Sequence, residues 1–198
     1  MLAELTKLRQ ICCDPRLHYE DYKAGSAKLD TCMELVHGAL DGGHRILLFS
    51  QFTGMLDIIG KRLAKEDIAF LKLTGASSKE SRAKMVAQFQ AGEVPVFLIS
   101  LKAGGVGLNL TAADVVIHYD PWWNVAAQDQ ATDRAHRIGQ QHTVTVYKLI
   151  AKDTIEERIM QMQESKRDLV NSVLGGDGIS SALFTREDVL ALLGGDGR

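Results

Sequence analysis

The fold is built around Arg45-Ile46-Leu47-Leu48-Phe49-Ser50, a continuous apolar run bounded by glycines and a serine. Such a run is typical of a strand that is buried on both faces, as in a parallel sheet with helices on each side. Further strand-like runs follow at 68–73, 94–99, 114–118 and 144–150. Helix-patterned segments separate these runs, and the alternation predicts a βαβ architecture with a mainly parallel sheet.

The predicted helices lie between and around these strands. They span 26–40, 54–65, 77–90, 124–138 and 155–174, and a last short one ends at 193. Ser26 and Ser77 are the favoured capping residues of the first and third of these helices. An amphipathic helix precedes them, because four apolar residues recur at helical spacing, and Asp14-Pro15 ends it. These four residues are Leu2, Leu5, Leu8 and Ile11.

The composition is that of a globular protein, with 45% hydrophobic residues, 24% charged residues and a formal net charge of −2. Because the chain has no overall basic excess, binding to a nucleic acid must rest on a local patch. The three cysteines and six histidines show no metal-ligand spacing, so neither a disulfide framework nor a metal site is expected. The apolar runs are too short to span a membrane, and no membrane partner is expected.

The segment 128–140, read as a helix, separates into two faces. A stripe of mostly small residues would let the helix lie close to a sheet: Ala127, Ala131, Ala135 and Ile138. A polar stripe beside it contains Gln130, Arg134 and Arg137. The two arginines are one turn apart and could act together on one anion. In the alternative interpretation, Asp133 and Arg137 at i and i+4 form an ordinary solvated charge pair.

A glycine-rich segment, Ser100-Leu101-Lys102-Ala103-Gly104-Gly105-Val106-Gly107, follows the third strand. A turn in this place presents backbone N–H groups at the carboxyl edge of the sheet, where ligands bind in open α/β folds. The pattern alone is also that of an ordinary tight turn. It is neither a Walker A loop nor a complete dinucleotide fingerprint.

The string Asp-Arg-Ala-His-Arg-Ile-Gly-Gln at 133–140 resembles motif VI of the Swi/Snf family of DNA-translocating ATPases, a branch of the superfamily-two helicases. The glycine-rich segment, with the Leu-Asn-Leu that follows it, resembles motif V of the same family. The resemblance covers about residues 2–174 and implies the second RecA-like lobe of such a motor, a three-layer α/β fold with C-terminal brace helices. It divides the chain into an interlobe helix and linker (1–24), the lobe (25–150), and brace helices with a tail (151–198).

The resemblance also implies roles for individual residues. Arg134 and Arg137 would be arginine fingers that reach the γ-phosphate of ATP held by the other lobe. The expected nucleotide-binding residues are Gly105, Gly107, Gln130 and Asp133, and the expected DNA-binding residues are Gln51, Ser100, Lys102, Trp123 and Asn124. Plain structural alternatives stay open, with Gln51 in a strand-terminal turn and the tryptophans in the core. Lys102 replaces the family's usual arginine, and a lysine cannot bind a phosphate bidentately.

The implied cofactors are ATP and Mg²⁺, bound mainly by the first lobe. The implied partners are double-stranded DNA, that first lobe, and RNA polymerase or another DNA-bound complex as cargo. The Asp-Pro-Trp-Trp-Asn sequence at 120–124 is more similar to bacterial members, which places the protein in the bacterial cytoplasm at the nucleoid, or in the nucleus if it is eukaryotic. Two rival hypotheses are a catalytically inert interaction module and a stand-alone nucleotide-binding α/β enzyme.

We expect the isolated chain neither to hydrolyse ATP nor to translocate. No G-x-x-x-x-G-K-[ST] motif and no Asp-Glu box after a strand occurs in its 198 residues, and a motor of this family needs both. The chain also starts within a helix-patterned segment, as an excised fragment would. The measurement is ATP turnover by the purified chain with and without duplex DNA. Strong DNA-stimulated turnover that disappears in Arg134→Ala would refute this expectation.

Overall fold

The computed structural model describes residues 2–104, 108–122, 125–133, 135 and 143–174. Within them, five strands form one sheet: β1 (Ile46–Ser50), β2 (Phe70–Leu73), β3 (Val96–Ser100), β4 (Val115–His118) and β5 (Thr145–Lys148). Their order is β2-β3-β1-β4-β5, and every neighbouring pair is parallel. The predicted α/β class is confirmed, and the apolar run at 46–50 is the central strand.

The helices of the described residues flank this sheet. They are α1 (Leu2–Cys13), α2 (Ala27–Asp41), α3 (Thr53–Lys65), α4 (Lys79–Ala91), α5 (Leu101–Gly104), α6 (Val125–Thr132) and α7 (Ile155–Leu174). Ser26 caps α2 as predicted, since its side chain accepts a hydrogen bond from the N–H of Leu29. The prediction for Ser77 is wrong. Ser78 caps α4, because the Ser77 hydroxyl instead accepts the N–H of Thr74 within the preceding turn. None of the described helices is both long enough and apolar enough to cross a membrane.

Both faces of the central strand are covered by helices. Ile46 and Leu48 belong to an apolar cluster that contains residues of α2 and α3, whereas Leu47 and Phe49 belong to a second cluster with residues of α4, α5 and α6. Every residue of β1 and β3 is buried. This explains why these strands are continuous apolar runs rather than alternating ones, and it confirms the three-layer, RecA-like arrangement.

The buried edge of α1 differs from the predicted apolar face. Leu5, Arg9 and Cys13 are spaced by four residues and are all buried, whereas Leu8 is 42% exposed. Leu5 packs in a small cluster with two isoleucines of α7. The helix therefore meets the rest of the protein along an edge that carries a charged residue, which a count of apolar spacings could not show.

A buried ion pair joins α2 to α7. Lys28 Nζ lies 2.5 Å from Glu156 Oε2, and both side chains are nearly inaccessible to solvent. The same carboxylate accepts a hydrogen bond from the N–H of Ala151 at 2.9 Å. The lysine nitrogen lies 5.3 Å from the centre of the ring of Tyr119, the residue directly after β4. Burial raises the pKa of Glu156, and the charge of Lys28 opposes this rise. Removing either partner would leave the other charge buried and unpaired, so the pair fixes the position of α7.

Two glycines, one at the end of a helix and one within a helix, provide a matched pair of substitutions. Gly92 ends α4 with a φ of +80°, and a Cβ added there would collide with the guanidinium of Arg45. Gly38 lies within α2, and nothing lies within 4 Å of an added Cβ. We expect Gly92→Ala to lower the free energy of unfolding by about 1 kcal/mol or more, and Gly38→Ala to raise it by about 0.4–1 kcal/mol. Urea unfolding measures both values, and a loss of stability in both variants or in neither would contradict the expectation.

Candidate functional site

Three strands end together at the carboxyl edge of the sheet. The parallel register pairs Ser50 with Ser100 and Phe49 with His118. The residues that follow β1, β3 and β4 therefore lie along one rim, which is where open α/β sheets bind their ligands. Two predicted site residues, Gln51 and Ser100, are at this rim.

The buried carboxylate of Asp120 links the ends of β1 and β4. Its side chain is 1% exposed and accepts the hydroxyl of Ser50 at 2.5 Å. The backbone N–H of Gln51 lies 3.3 Å from each of its two oxygens. Burial raises the pKa of Asp120, while the Ser50 hydroxyl and the positive charge of Arg9 oppose the rise. The carboxylate is thus a cross-link between two strands at the rim.

Arg9 of α1 reaches into the same network. Its Nη1 donates to Gln51 Oε1 at 3.0 Å, its Nη2 donates to the carbonyl of Pro121, and its guanidinium lies 5.7 Å from the centre of the Phe52 ring. The Gln51 side chain is oriented by this contact. Its Nε2 is buried and has no hydrogen-bond partner among the described residues. The structure places Gln51 at the rim with its amide turned toward Arg9, and its contact with DNA stays a prediction.

Sequence pattern did not predict the roles of Arg9 and Asp120. For Arg9 a signal was present, because it stands four residues from Leu5 and from Cys13, and a helix that buries these two also buries the residue between them. For Asp120 no local signal existed. An aspartate before a proline at the end of a strand looks like a turn residue, and its partners are about 70 positions earlier in the chain.

The start of the glycine-rich segment is helical rather than an open turn. The hydroxyl of Ser100, itself buried, accepts the N–H of Ala103 at 3.3 Å and so caps the single turn of α5. Arg82 of α4 donates to the carbonyl of Ala103 at 3.1 Å. Leu101, the first residue of α5, is in the core. The side chain of Lys102 and the whole of Gly105 and Gly107 lie outside the described residues.

The helix predicted over 124–138 ends earlier than expected, at Thr132. The N–H of Asp133 still donates to the carbonyl of Asp129, four residues earlier, at 2.9 Å. The N–H of Ala135 instead donates to the carbonyl of Thr132, three residues earlier, at 3.0 Å, so the hydrogen-bond spacing tightens from four residues to three. The Thr132 hydroxyl lies 2.9 Å from Nε2 of His118 at the end of β4, and this contact joins the end of the helix to the sheet.

The small-residue stripe of this segment is confirmed at two of its four positions, while the side chain of Ala127 and the whole of Ile138 lie outside the described residues. Ala131 and Ala135 are buried in the cluster that also contains Leu101 and Ala103 of α5. The predicted nucleotide-binding residues of the same segment, Gln130 and Asp133, are both exposed. In the sequence, Arg134 stands between the exposed Asp133 and the buried Ala135. Four predicted site residues lie wholly outside the described residues, and their roles stay predictions: Trp123, Asn124, Arg134 and Arg137.

His118 is a third buried polar residue that the sequence did not single out. It is 1% exposed, and its ring stacks on Phe49 with centroids 5.4 Å apart and planes at 20°. Burial, together with the charge of Lys148, lowers the pKa of His118 to about 4. The ring is therefore neutral at physiological pH, and it joins the central sheet to the end of α6. No three His, Cys, Asp or Glu side chains of the described residues converge as metal ligands would.

The sheet order, the two layers of helices and the rim formed by β1, β3 and β4 define a RecA-like lobe of the kind found in nucleotide-driven motors. The sequence of residues 27–139 matches the family described as the helicase conserved C-terminal domain. The chain belongs to this family, as the C-terminal lobe of a Swi2/Snf2 ATPase.

Individual relatives agree with this assignment. An ATP-dependent helicase of Mycoplasma pneumoniae is 43% identical over 193 residues, which are 97% of this chain and 19% of that protein. The solved C-terminal domain of the SWI2/SNF2 ATPase of Sulfolobus solfataricus is 34% identical with a TM-score of 0.74, and the match covers 96% of this chain and 79% of that one. The ATPase core of the same organism in complex with double-stranded DNA is 39% identical with a TM-score of 0.73, covering 87% and 37% of the two chains. The chain spans about a fifth of the length of the bacterial relatives it matches and about a tenth of the length of the eukaryotic ones.

The neutral state of His118 has a consequence for acid stability. Its pKa is about 4 when folded and 6.5 when unfolded, so the unfolded chain binds more protons between these values and stability falls as the pH falls through them. His118→Phe keeps an aromatic ring against Phe49 but cannot titrate. We expect the stability advantage of the wild type over this variant to shrink by about 2 kcal/mol from pH 7 to pH 5. Denaturant unfolding at both pH values measures it. The buried carboxyl groups of Asp120 and Glu156 are present in both proteins, so their titration cancels in the comparison. A difference in unfolding free energy between the two proteins that does not change with pH would contradict the expectation.

Proposed function

We propose that the chain is the second motor lobe of an ATP-dependent translocase of double-stranded DNA. One observation carries the proposal. The segments that resemble motifs V and VI pack on each other, because Leu101 and Ala103 share an apolar cluster with Ala131 and Ala135 at the rim of the sheet. In a motor of this kind, one segment senses DNA and the other acts on the nucleotide, so their direct packing supports mechanical coupling between the two sites.

In the proposed mechanism, Arg134 and Arg137 act as arginine fingers. ATP with Mg²⁺ would be held mainly by the first lobe and would supply the phosphoryl group that is transferred to water. The transfer develops negative charge on the γ-phosphoryl oxygens, and guanidinium groups placed against them stabilise the transition state. The burial of Ala135, directly after Arg134, supports the role because it anchors the chain next to the finger. The exposed Gln130 and Asp133, with Gly105 and Gly107, would complete the nucleotide side.

The DNA side of the proposal uses Gln51, Lys102, Trp123 and Asn124 along the rim. Ser100 would act there through α5, since its own hydroxyl already accepts the N–H of Ala103. Amide, ammonium and backbone groups of this kind bind phosphates without reading bases, so binding would tolerate any sequence and would weaken with salt. The solved relative in complex with double-stranded DNA supports a duplex as the partner.

The whole protein would consist of a first lobe, the interlobe segment at 1–24, this lobe at 25–150 and the brace at 151–198. Closure of the lobes on ATP and reopening after hydrolysis would alternate their hold on the phosphate backbone and move the protein along DNA. RNA polymerase or another DNA-bound complex is the proposed cargo. A motor of this type would work at the bacterial nucleoid, or in a nucleus if the protein is eukaryotic.

The finger role is tested in the complete parent protein. We expect Arg134→Ala or Arg137→Ala to lower the DNA-stimulated kcat by about a thousandfold or more, because each removes charge from the transition state, with duplex affinity nearly unchanged. Arg62→Ala is the matched control, since Arg62 is on α3 and pairs with Glu66 and Asp30. ATP turnover and DNA binding are measured for all three variants.

Two outcomes would favour the rival functions. Full ATPase activity in Arg134→Ala would indicate an interaction module whose motor residues do not act. Tight binding of a nucleotide by this chain alone, measured by isothermal titration calorimetry, would indicate a stand-alone nucleotide-binding enzyme instead.

A further inference from the structure

The segment that leaves β4 is held by both terminal helices of the described chain. The carbonyl of Pro121 accepts a hydrogen bond from Arg9 Nη2 on α1, and the carbonyl of the next residue, Trp122, accepts one from Gln163 Nε2 on α7. The donors are 112 and 41 positions away in sequence. Two consecutive peptide groups are therefore bound by side chains from opposite ends of the lobe.

Both donors are buried, which sets them apart from ordinary surface contacts. Arg9 is 2% exposed and Gln163 is 8% exposed. A buried donor that loses its acceptor costs more free energy than the bond itself contributes, so these carbonyls cannot move away without a penalty on the helix side. The helices thus restrain the position of the segment rather than merely covering it.

The two helices also hold each other. Leu5 of α1 packs against Ile155 and Ile159 of α7, and the buried Lys28–Glu156 pair fixes the start of α7 to α2. Cys13 and Glu156 lie beside each other, with Sγ and Oε1 3.9 Å apart. A displacement of α7 is therefore transmitted to Pro121 and Trp122 both directly and through α1.

We propose that Arg9 and Gln163 are positioning residues, and that through them the docking of α7 sets the affinity of the lobe for double-stranded DNA. The inference rests on the proposed function, in which Trp123 and Asn124, the next two residues along the chain, contact DNA. It goes beyond that function because it makes the brace helix part of the DNA-binding apparatus rather than only a structural support.

The positioning can be measured without activity. The chain contains two tryptophans, and both are in this segment, so tryptophan fluorescence reports on it alone. Gln163→Met keeps the size of the side chain and removes the donor. Gln161→Met makes the same change on the same helix at an exposed position. We expect Gln163→Met to raise quenching of the tryptophans by acrylamide about twofold or more, and Gln161→Met to leave it unchanged. Equal quenching in the two variants would overturn the proposal.

The coupling to DNA is measured in the same proteins. We expect the Kd for a labelled duplex to rise about three- to tenfold in Gln163→Met. In Gln161→Met, both the thermal unfolding midpoint and the Kd should stay close to those of the wild type. An unchanged Kd in Gln163→Met, with normal binding by the wild type, would contradict the coupling. If the wild-type chain binds no duplex, the proposed function is what fails, and the quenching comparison still decides whether the helices position the segment.

Arg9 gives a graded series that separates positioning from loss of packing. Arg9→Lys keeps a positive charge near Asp120 and one donor for Pro121, but it cannot also reach Gln51 in the forked geometry of a guanidinium. Arg9→Met removes both donors. We expect tryptophan quenching and duplex Kd to increase in the order wild type, Arg9→Lys, Arg9→Met. A lysine variant as impaired as the methionine variant, in proteins of equal unfolding midpoint, would argue against a positioning role for Arg9.

Discussion

A single buried carboxylate, that of Asp120, holds the functional edge of this lobe together. It ties the end of β4 to Ser50 and Gln51 at the end of β1, and its negative charge lies beside the guanidinium of Arg9. Burying a carboxylate without partners would cost several kcal/mol of folding free energy. The Ser50 hydroxyl, the Gln51 N–H and the Arg9 cation together offset this cost. These contacts cross-link the rim at the point where the strands end.

The motif segments extend this cross-linked rim on the other side of the sheet. The Ser100 hydroxyl caps α5, and the contact between His118 and Thr132 brings the end of α6 to the same rim. Small and apolar residues of α5 and α6 then pack together, which leaves polar residues such as Gln130 and Asp133 on the outside. Close packing is what allows a shift at one segment to reach the other, because a packed interface cannot deform freely.

Local sequence pattern predicted most of the fold and little of the site's internal structure. The strands β1 and β3 were predictable because burial on both faces produces an unbroken apolar run. The early end of α6 was not, and the hydrogen bond between His118 and Thr132 at that end joins residues 14 positions apart, which no helical spacing reveals. The same limit applies to Arg9, whose charge hid its place on the buried edge of α1. The expected roles of Arg134 and Arg137 came from family resemblance. The residue pattern itself predicted only that the two side chains share one face of a helix.

In the proposed mechanism, the guanidinium groups of Arg134 and Arg137 act on a triphosphate held by another lobe. The most direct measurement is a structure of the complete parent protein with duplex DNA and a transition-state analogue of ATP hydrolysis. We expect Arg134 and Arg137 to lie within hydrogen-bond distance of the group that mimics the γ-phosphate. Arginine side chains that point away from the nucleotide, with the lobes closed on the analogue, would contradict it.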